Sequence, residues 1–161
     1  VPWPSSLARG PYGWAQVATL VITGLLMVIL AVAVRDQLPH RRASSFAVVL
    51  LGLLGAALIL AAFRVDVPML TGGNPATWHG WVHAIAFLLI IATGVLAPLT
   101  MALAVRGNPS WRPIAVVSIA ASALFIVFLI LPWGNATFLL AIITLFAWIA
   151  WVAVRLATHH S

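Results

Sequence analysis

Three residues that could ligate a metal ion lie close together in the chain: Asp66, His79 and His83. The two histidines are four residues apart, so on a helix their imidazoles share one face. Two imidazoles and a carboxylate form a workable zinc ligand set that leaves one position for water. Such a water could hydrolyse an amide or ester of a lipid. The chain has no Glu to act as general base, so Asp66 would have to serve as both ligand and base, which weakens this interpretation.

A structural interpretation of the same segment needs no metal. Asp66, with its short side chain before Pro68, can accept backbone N–H bonds and hold the loop. It can also pair with Arg64 or with a protonated His79. Thr77 is well placed to be the N-cap of the apolar segment that follows it. We therefore favour a structural, non-enzymatic role and expect no cofactor; zinc is the cofactor that the alternative would need.

Long apolar segments on both sides of this cluster place it in a membrane protein. Mean hydropathy is +1.16 and 6% of residues are charged, whereas soluble domains carry about 25%. Five segments have about the 20 residues that a helix needs to cross the hydrocarbon core: 15–34, 46–63, 81–105, 113–132 and 136–155. We predict an all-α, polytopic transmembrane helix bundle in which residues 1–161 form one domain.

The arginines orient the predicted bundle. All eight basic residues are Arg, and only Arg9 and Arg64 fall on the side opposite the rest. The positive-inside rule then places the C-terminus in the cytoplasm, and the N-terminus and the 64–80 loop outside it. The use of Arg alone suggests a GC-rich bacterial genome, so we expect a bacterial inner membrane. The arginines are dispersed to meet lipid headgroups, which argues against nucleic-acid binding.

The predicted orientation has a consequence for the N-terminal residues. An N-terminus outside the cytoplasm, with no signal peptide, is easiest to explain by a sixth span upstream of this sequence; a translocated short tail is the alternative.

A single haem cannot take both axial ligands from one helix face, so His79 and His83 would need a third histidine. The others are predicted on the cytoplasmic side: His40, His159 and His160. The absence of cysteine excludes disulfides, thiolate catalysis and Cys-ligated zinc.

Residues within the spans are explained by packing and by the membrane interfaces. Ser118 and Ser122 are predicted to form helix–helix hydrogen bonds. Gly52 and Gly55 would allow neighbouring helices to approach closely. The span-end tryptophans are assigned to aromatic belts: Trp14, Trp78, Trp81, Trp111, Trp133, Trp148 and Trp151. No span carries a charge at its centre, which argues against a proton or ion pathway.

Three motifs resemble those of a known family. A Ser-x-Leu at residues 5–7 precedes a span with an internal Thr23-Gly24 pair. The second span ends in Phe-Arg-Val-Asp-Val-Pro, residues 63–68, and the third follows Thr-Trp-His-Gly-Trp-Val-His, residues 77–83. Together they resemble the domain-of-unknown-function family 998 of bacterial six-span membrane proteins, over residues 5–156. The resemblance implies a first span upstream of Val1 and implies no activity.

The sequence therefore predicts a small integral membrane protein without enzymatic activity. It would act as an accessory or structural subunit, or as a sensor of a ligand or of pH at the outer face. Its expected partners are the lipid bilayer and other membrane proteins. The alternative is a metal-dependent hydrolase that acts on lipid at the outer leaflet through Asp66, His79 and His83.

Overall fold

A computed structural model describes residues 10–39, 41–132 and 134–158 of the chain. The Ser-x-Leu motif at 5–7, His40, Trp133, His159 and His160 lie outside these ranges. In the described part the chain is helical, with no strand. The helices are α1 (Gly13–Arg35), α2 (Arg42–Ala61), α3 (Val67–Leu70), α4 (Trp78–Val105), a 3₁₀ turn (Pro109–Trp111), α5 (Arg112–Ile130) and α6 (Asn135–Thr158).

Five of these helices are long and apolar enough to cross a bilayer: α1, α2, α4, α5 and α6. All five also keep large apolar side chains exposed on the outer surface of the bundle, such as Ile29, Val49, Leu88, Ile130 and Ile143. Exposed apolar surface of this extent is expected where helices face hydrocarbon and not water. The chain is a multi-pass membrane protein, and the prediction of an all-α bundle with five spans is confirmed.

Helix boundaries differ from the predicted spans at the second and third segments. α2 begins at Arg42 and not at residue 46, and it ends at Ala61 and not at 63. α4 begins at Trp78, three residues before the predicted start. Span predictions count apolar residues, whereas the helical hydrogen bonds continue through polar residues at the interface. The one-turn helix α3 was not predicted; Pro68, in its first turn, suits a helix start.

The five long helices pack in chain order, α1 on α2, α2 on α4, α4 on α5 and α5 on α6. Gly24 and Gly55 bring α1 and α2 together, because a Cβ on either would lie 2.6 Å from the carbonyl oxygen of the other. The expected close approach at Gly55 is therefore confirmed. The close approach predicted at Gly52 is wrong, because a Cβ there would meet nothing within 4 Å.

Two interhelical hydrogen bonds join α5 to its neighbours, as predicted for Ser118 and Ser122. Ser122 Oγ donates to the Val95 carbonyl on α4 at 3.0 Å. The Trp148 indole Nε1 donates to Ser118 Oγ at 2.8 Å. Trp148 is only 2% exposed, so its assignment to an interfacial belt was wrong. It faces α5 because a buried indole N–H needs a partner and Ser118 supplies one.

Candidate functional site

The end of α2 and the start of α4 are joined by a clasp that consists of Asp66, Ala76, Thr77 and Gly80. Asp66 Oδ2 accepts hydrogen bonds from the backbone N–H of Ala76 and of Thr77, both at 2.8 Å. Asp66 Oδ1 accepts one from the Thr77 hydroxyl, also at 2.8 Å. The predicted roles of Asp66 as a loop anchor and of Thr77 as the N-cap of α4 are confirmed, since Thr77 Oγ1 also accepts from Gly80 N at 3.3 Å.

Gly80 completes the clasp by having no side chain. A Cβ built on it would overlap Asp66 Oδ2 and would lie 2.6 Å from Asp66 Cγ. The carboxylate therefore rests directly on the first turn of α4. Substitution at position 80 should displace Asp66 from its hydrogen bonds, because the nearest atoms are held in place by the Thr77 and Ala76 N–H groups.

The clasp lowers the pKa of Asp66 below its usual value. The largest cause is the hydrogen bond from the Thr77 N–H, and partial burial acts in the opposite direction. The Thr77 hydroxyl and the Ala76 N–H lower the pKa further, and the charge of His79 has a smaller effect in the same direction. Hydrogen bonds that favour the ionised form produce this shift, so the clasp holds Asp66 as a carboxylate.

The segment between the clasp residues contains a hydrogen-bonded turn. The backbone N–H of Gly72 and of Gly73 donate to the carbonyls of Met69 and Pro68, at 3.3 and 2.8 Å. Gly72 has φ +84°, in the left-handed region that favours glycine. The Thr71 hydroxyl also donates to the Pro68 carbonyl at 3.0 Å. These bonds close the turn that follows α3.

The two histidines of α4 both contact the end of α2 through Phe63. The His79 ring stacks on Trp78, with centroids 3.6 Å apart, and lies 6.4 Å from the Phe63 ring. The Trp78 ring meets Phe63 edge-on at 5.6 Å. His83 Nδ1 lies 3.0 Å from the Phe63 carbonyl oxygen. The prediction that His79 and His83 share a helix face is consistent with this common neighbour.

The Phe63 carbonyl determines the tautomer of neutral His83. A carbonyl oxygen can only accept, so the proton must lie on Nδ1. The other ring nitrogen, Nε2, then carries a lone pair and is a hydrogen-bond acceptor.

The predicted metal ligands do not form a metal-binding group. Within the described ranges, no three His, Asp, Glu or Cys side chains are arranged so that they could hold an ion. The carboxylate of Asp66 is committed to Ala76 and Thr77, His79 to its aromatic neighbours, and His83 Nδ1 to Phe63. Arg64 is exposed, and it makes no ion pair with Asp66 in the described structure.

A crevice opens beside His83, between α3 and the first turns of α4. Its volume is about 360 Å³, and His83 is the polar residue among those that line it. The others are Val65, Met69, Leu70, Ala84, Phe87 and Leu88. Leu88 is 65% exposed. It lies ten residues into α4, about 15 Å along the helix axis from Trp78.

Sequence reasoning missed three contributors to this site. Phe63 and Gly80 act through a backbone carbonyl and a missing side chain, which no residue-type pattern reveals. The only available signal for Gly80 was a glycine inside the first turn of a helix, where glycine is otherwise unfavourable. The apolar lining of the crevice could not be distinguished from ordinary span residues.

A family model described as a protein of unknown function, DUF998, matches residues 4–155 of the chain. No curated protein and no solved structure matches the chain. The match confirms the predicted family and nearly the predicted limits of the resemblance, and it carries no activity with it.

Proposed function

The chain belongs to the DUF998 family of proteins of unknown function, and we propose that it binds a membrane lipid in the crevice beside His83. The ligand class is a lipid with one acyl chain in the crevice and a hydroxyl group next to His83. The single observation that carries this proposal is the combination of an apolar crevice with one oriented imidazole. The proposed function is binding alone, without an enzymatic step.

The lining supports an acyl chain as the occupant. Its volume of about 360 Å³ lies in the range of small-ligand sites, about 300–1,000 Å³. Phe87 and the exposed Leu88 open the crevice toward the lipid-facing surface. A soluble polar metabolite would gain little from such walls, whereas a hydrocarbon chain entering from the bilayer loses none of its apolar surroundings.

The orientation of His83 supports a hydroxyl group as the polar part of the ligand. With its proton on Nδ1 and directed to the Phe63 carbonyl, a neutral imidazole offers Nε2 as an acceptor. A matching ligand therefore supplies an O–H donor, as the free hydroxyls of a glycerolipid do. The clasp at Asp66 positions both partners, because it holds the end of α2 against the start of α4.

We propose that this crevice lies on the extracytoplasmic side of a bacterial inner membrane, an orientation that the arginine bias supports. That orientation belongs to the proposal and supports an outer-leaflet lipid as the source. A ligand-responsive membrane protein of this kind would transmit occupancy of the crevice through the α2–α4 contact.

Photolabelling tests the site. Reconstituted protein is labelled with a monoacylglycerol that carries a diazirine in its acyl chain, and the modified residues are mapped by mass spectrometry. We expect labels on 65–70 and 83–88. Ala84→Phe should remove them by filling the crevice, whereas Ala92→Phe, on the exposed face of the same helix, should not. Equal labelling of the two variants would contradict the proposal.

The two isosteric substitutions of His83 test the hydrogen bond. His83→Asn keeps an N–H donor near the position of Nδ1 and loses the Nε2 acceptor. His83→Gln places its amide near Nε2 and loses the bond to Phe63. We expect His83→Asn to fold normally and to bind the lipid about fivefold more weakly, the effect of one hydrogen bond. If His83→Asn bound a lipid with a free hydroxyl as tightly as the wild type does, His83 would not be part of the site.

A further inference from the structure

Residues at the end of α1, at the start of α2 and in the described part of the connection between them line a second cavity, at the opposite end of α2 from the clasp. Its volume is about 660 Å³. Its lining carries three arginines and one carboxylate, an excess of positive charge. The lining residues are Arg35, Asp36, Leu38, Pro39, Arg41, Arg42, Ser44, Ser45, Val48 and Val49.

The N-terminus of α2 forms part of this cavity and has no side-chain cap. The N–H groups of Ser44 and Ser45 donate to the Arg41 carbonyl, at 3.0 and 3.2 Å. No described residue accepts from the N–H groups of Arg42 and Ala43. Free N–H groups and the positive end of the helix dipole favour an anion at such a position.

Ser44 provides an independent indication of a ligand. It is 6% exposed, it lines the cavity, and its hydroxyl has no hydrogen-bond partner. In the described part of the chain, the only other buried side-chain oxygen without a partner is Gln37 Oε1, on the same segment. Buried polar groups nearly always have a partner. An anionic oxygen in the cavity would accept from the Ser44 hydroxyl.

The arginines fit a phosphate group. Guanidinium groups match phosphate oxygens in pairs and remain charged at all relevant pH values. The Arg41 guanidinium lies against Gly107, where its Nη1 would be 2.7 Å from a Cβ, so this side chain connects the loop to the turn after α4. Arg35 and Arg42 are exposed at the cavity and are the arginines available to a ligand.

We propose that this cavity binds a phosphate group, with the headgroup of an anionic lipid as the favoured source. Val48 and Val49 continue the lining along α2 toward the hydrocarbon core, and Val49 is 56% exposed. An apolar wall beside a cationic site suits a lipid better than free phosphate. The site is independent of the His83 crevice, which lies at the other end of α2.

Lipid titrations monitored by native mass spectrometry test this site. The probes are a phosphatidylglycerol, a diacylglycerol with the same acyl chains but no phosphate, and inorganic phosphate as a competitor. Arg42→Gln removes a cavity arginine at the first position of α2. Arg112→Gln is its matched control, an exposed arginine at the first position of α5 outside the cavity. Ser44→Ala removes only the unpartnered hydroxyl.

We expect Arg42→Gln to weaken phosphatidylglycerol binding about tenfold and Ser44→Ala about fivefold, as for the loss of a charged or a neutral hydrogen bond. Arg112→Gln should leave it unchanged, and diacylglycerol binding should not respond to any variant. Competition by millimolar inorganic phosphate would support the phosphate site and favour a soluble source. Equal effects of Arg42→Gln and Arg112→Gln would overturn the proposal, as would equal weakening of both lipids.

Ser44→Ala keeps the test decisive if Arg42→Gln fails to insert in the membrane. It alters no charge and removes a hydroxyl that has no partner in the folded protein, so its stability in detergent should equal that of the wild type. Normal stability with unchanged phosphatidylglycerol affinity in this variant would exclude Ser44 from a ligand site and contradict the proposal.

Discussion

Gly80→Ala should destabilise the protein by disrupting the Asp66 clasp. The new methyl group would overlap the Asp66 carboxylate, which is fixed by three hydrogen bonds from Ala76 and Thr77. Forcing a methyl group into a filled position costs about 1–3 kcal/mol. A glycine-to-alanine change in a helix interior also contributes about 1 kcal/mol of favourable propensity, so the net effect alone would be ambiguous.

Gly52→Ala supplies the matched control. Gly52 lies within α2, and a Cβ there would meet nothing within 4 Å. It should gain the full helix-interior propensity without the clash, whereas Gly80, in the first turn of α4, gains less. The difference between the two variants is therefore dominated by the clash, and we expect Gly80→Ala to be about 1–3 kcal/mol less stable than Gly52→Ala. Unfolding by SDS in mixed micelles, followed by far-ultraviolet circular dichroism, measures this difference.

A double-mutant cycle identifies the cause. In an Asp66→Ala background the carboxylate is gone, so Gly80→Ala should become as well tolerated as Gly52→Ala. Stabilities of Gly80→Ala and Gly52→Ala that agree within error would refute the reasoning. A cost of Gly80→Ala that persists in the Asp66→Ala background would refute it as well.

Two further predictions concern acid and the α5–α6 contact. The lowered pKa of Asp66 means that its contribution to stability is fully present above the ordinary Asp pKa, about 3.9, and is lost as the pH falls through the lower folded value. Wild type should therefore lose more SDS resistance than Asp66→Asn between about pH 5 and 3. Ser118→Ala should cost about 1 kcal/mol and more than Ser122→Ala, because it leaves the buried Trp148 N–H unpaired.

Each of these predictions has a clear contrary result. An Asp66→Asn variant that loses as much SDS resistance in acid as the wild type would show that Asp66 does not contribute; the exposed Asp36 is common to both. For α5, equal unfolding midpoints of the Ser118 and Ser122 variants would contradict the role assigned to Trp148.

Much of the fold followed from composition and from local capping chemistry. Long apolar segments predicted the five spanning helices, because the bilayer fixes helix length. Thr77 and Asp66 were predictable because capping and loop-anchoring depend on residues near in sequence, and both roles were confirmed. Helix ends were predicted less well, since apolar counts do not register polar residues such as Arg42 that continue a helix at the interface.

The features that could not be predicted depend on contacts between distant elements. The tautomer of His83 depends on a carbonyl 20 residues earlier, at Phe63. Which glycine of α2 meets α1 depends on helix rotation, which placed Gly55 and not Gly52 at the contact. Trp148 turned inward for the same reason, since a tryptophan near a span end can face either the interface or a neighbouring helix.

The most direct measurement of the proposed lipid site is the ¹⁵N spectrum of the His83 imidazole in the reconstituted protein, assigned by comparison with His83→Asn. We predict a protonated Nδ1 and an unprotonated Nε2 in the neutral ring, as the Phe63 carbonyl requires. Titration with a monoacylglycerol should shift the Nε2 resonance in wild type and not in Ala84→Phe. A proton on Nε2, or an Nε2 resonance that does not move at saturating lipid, would contradict the account.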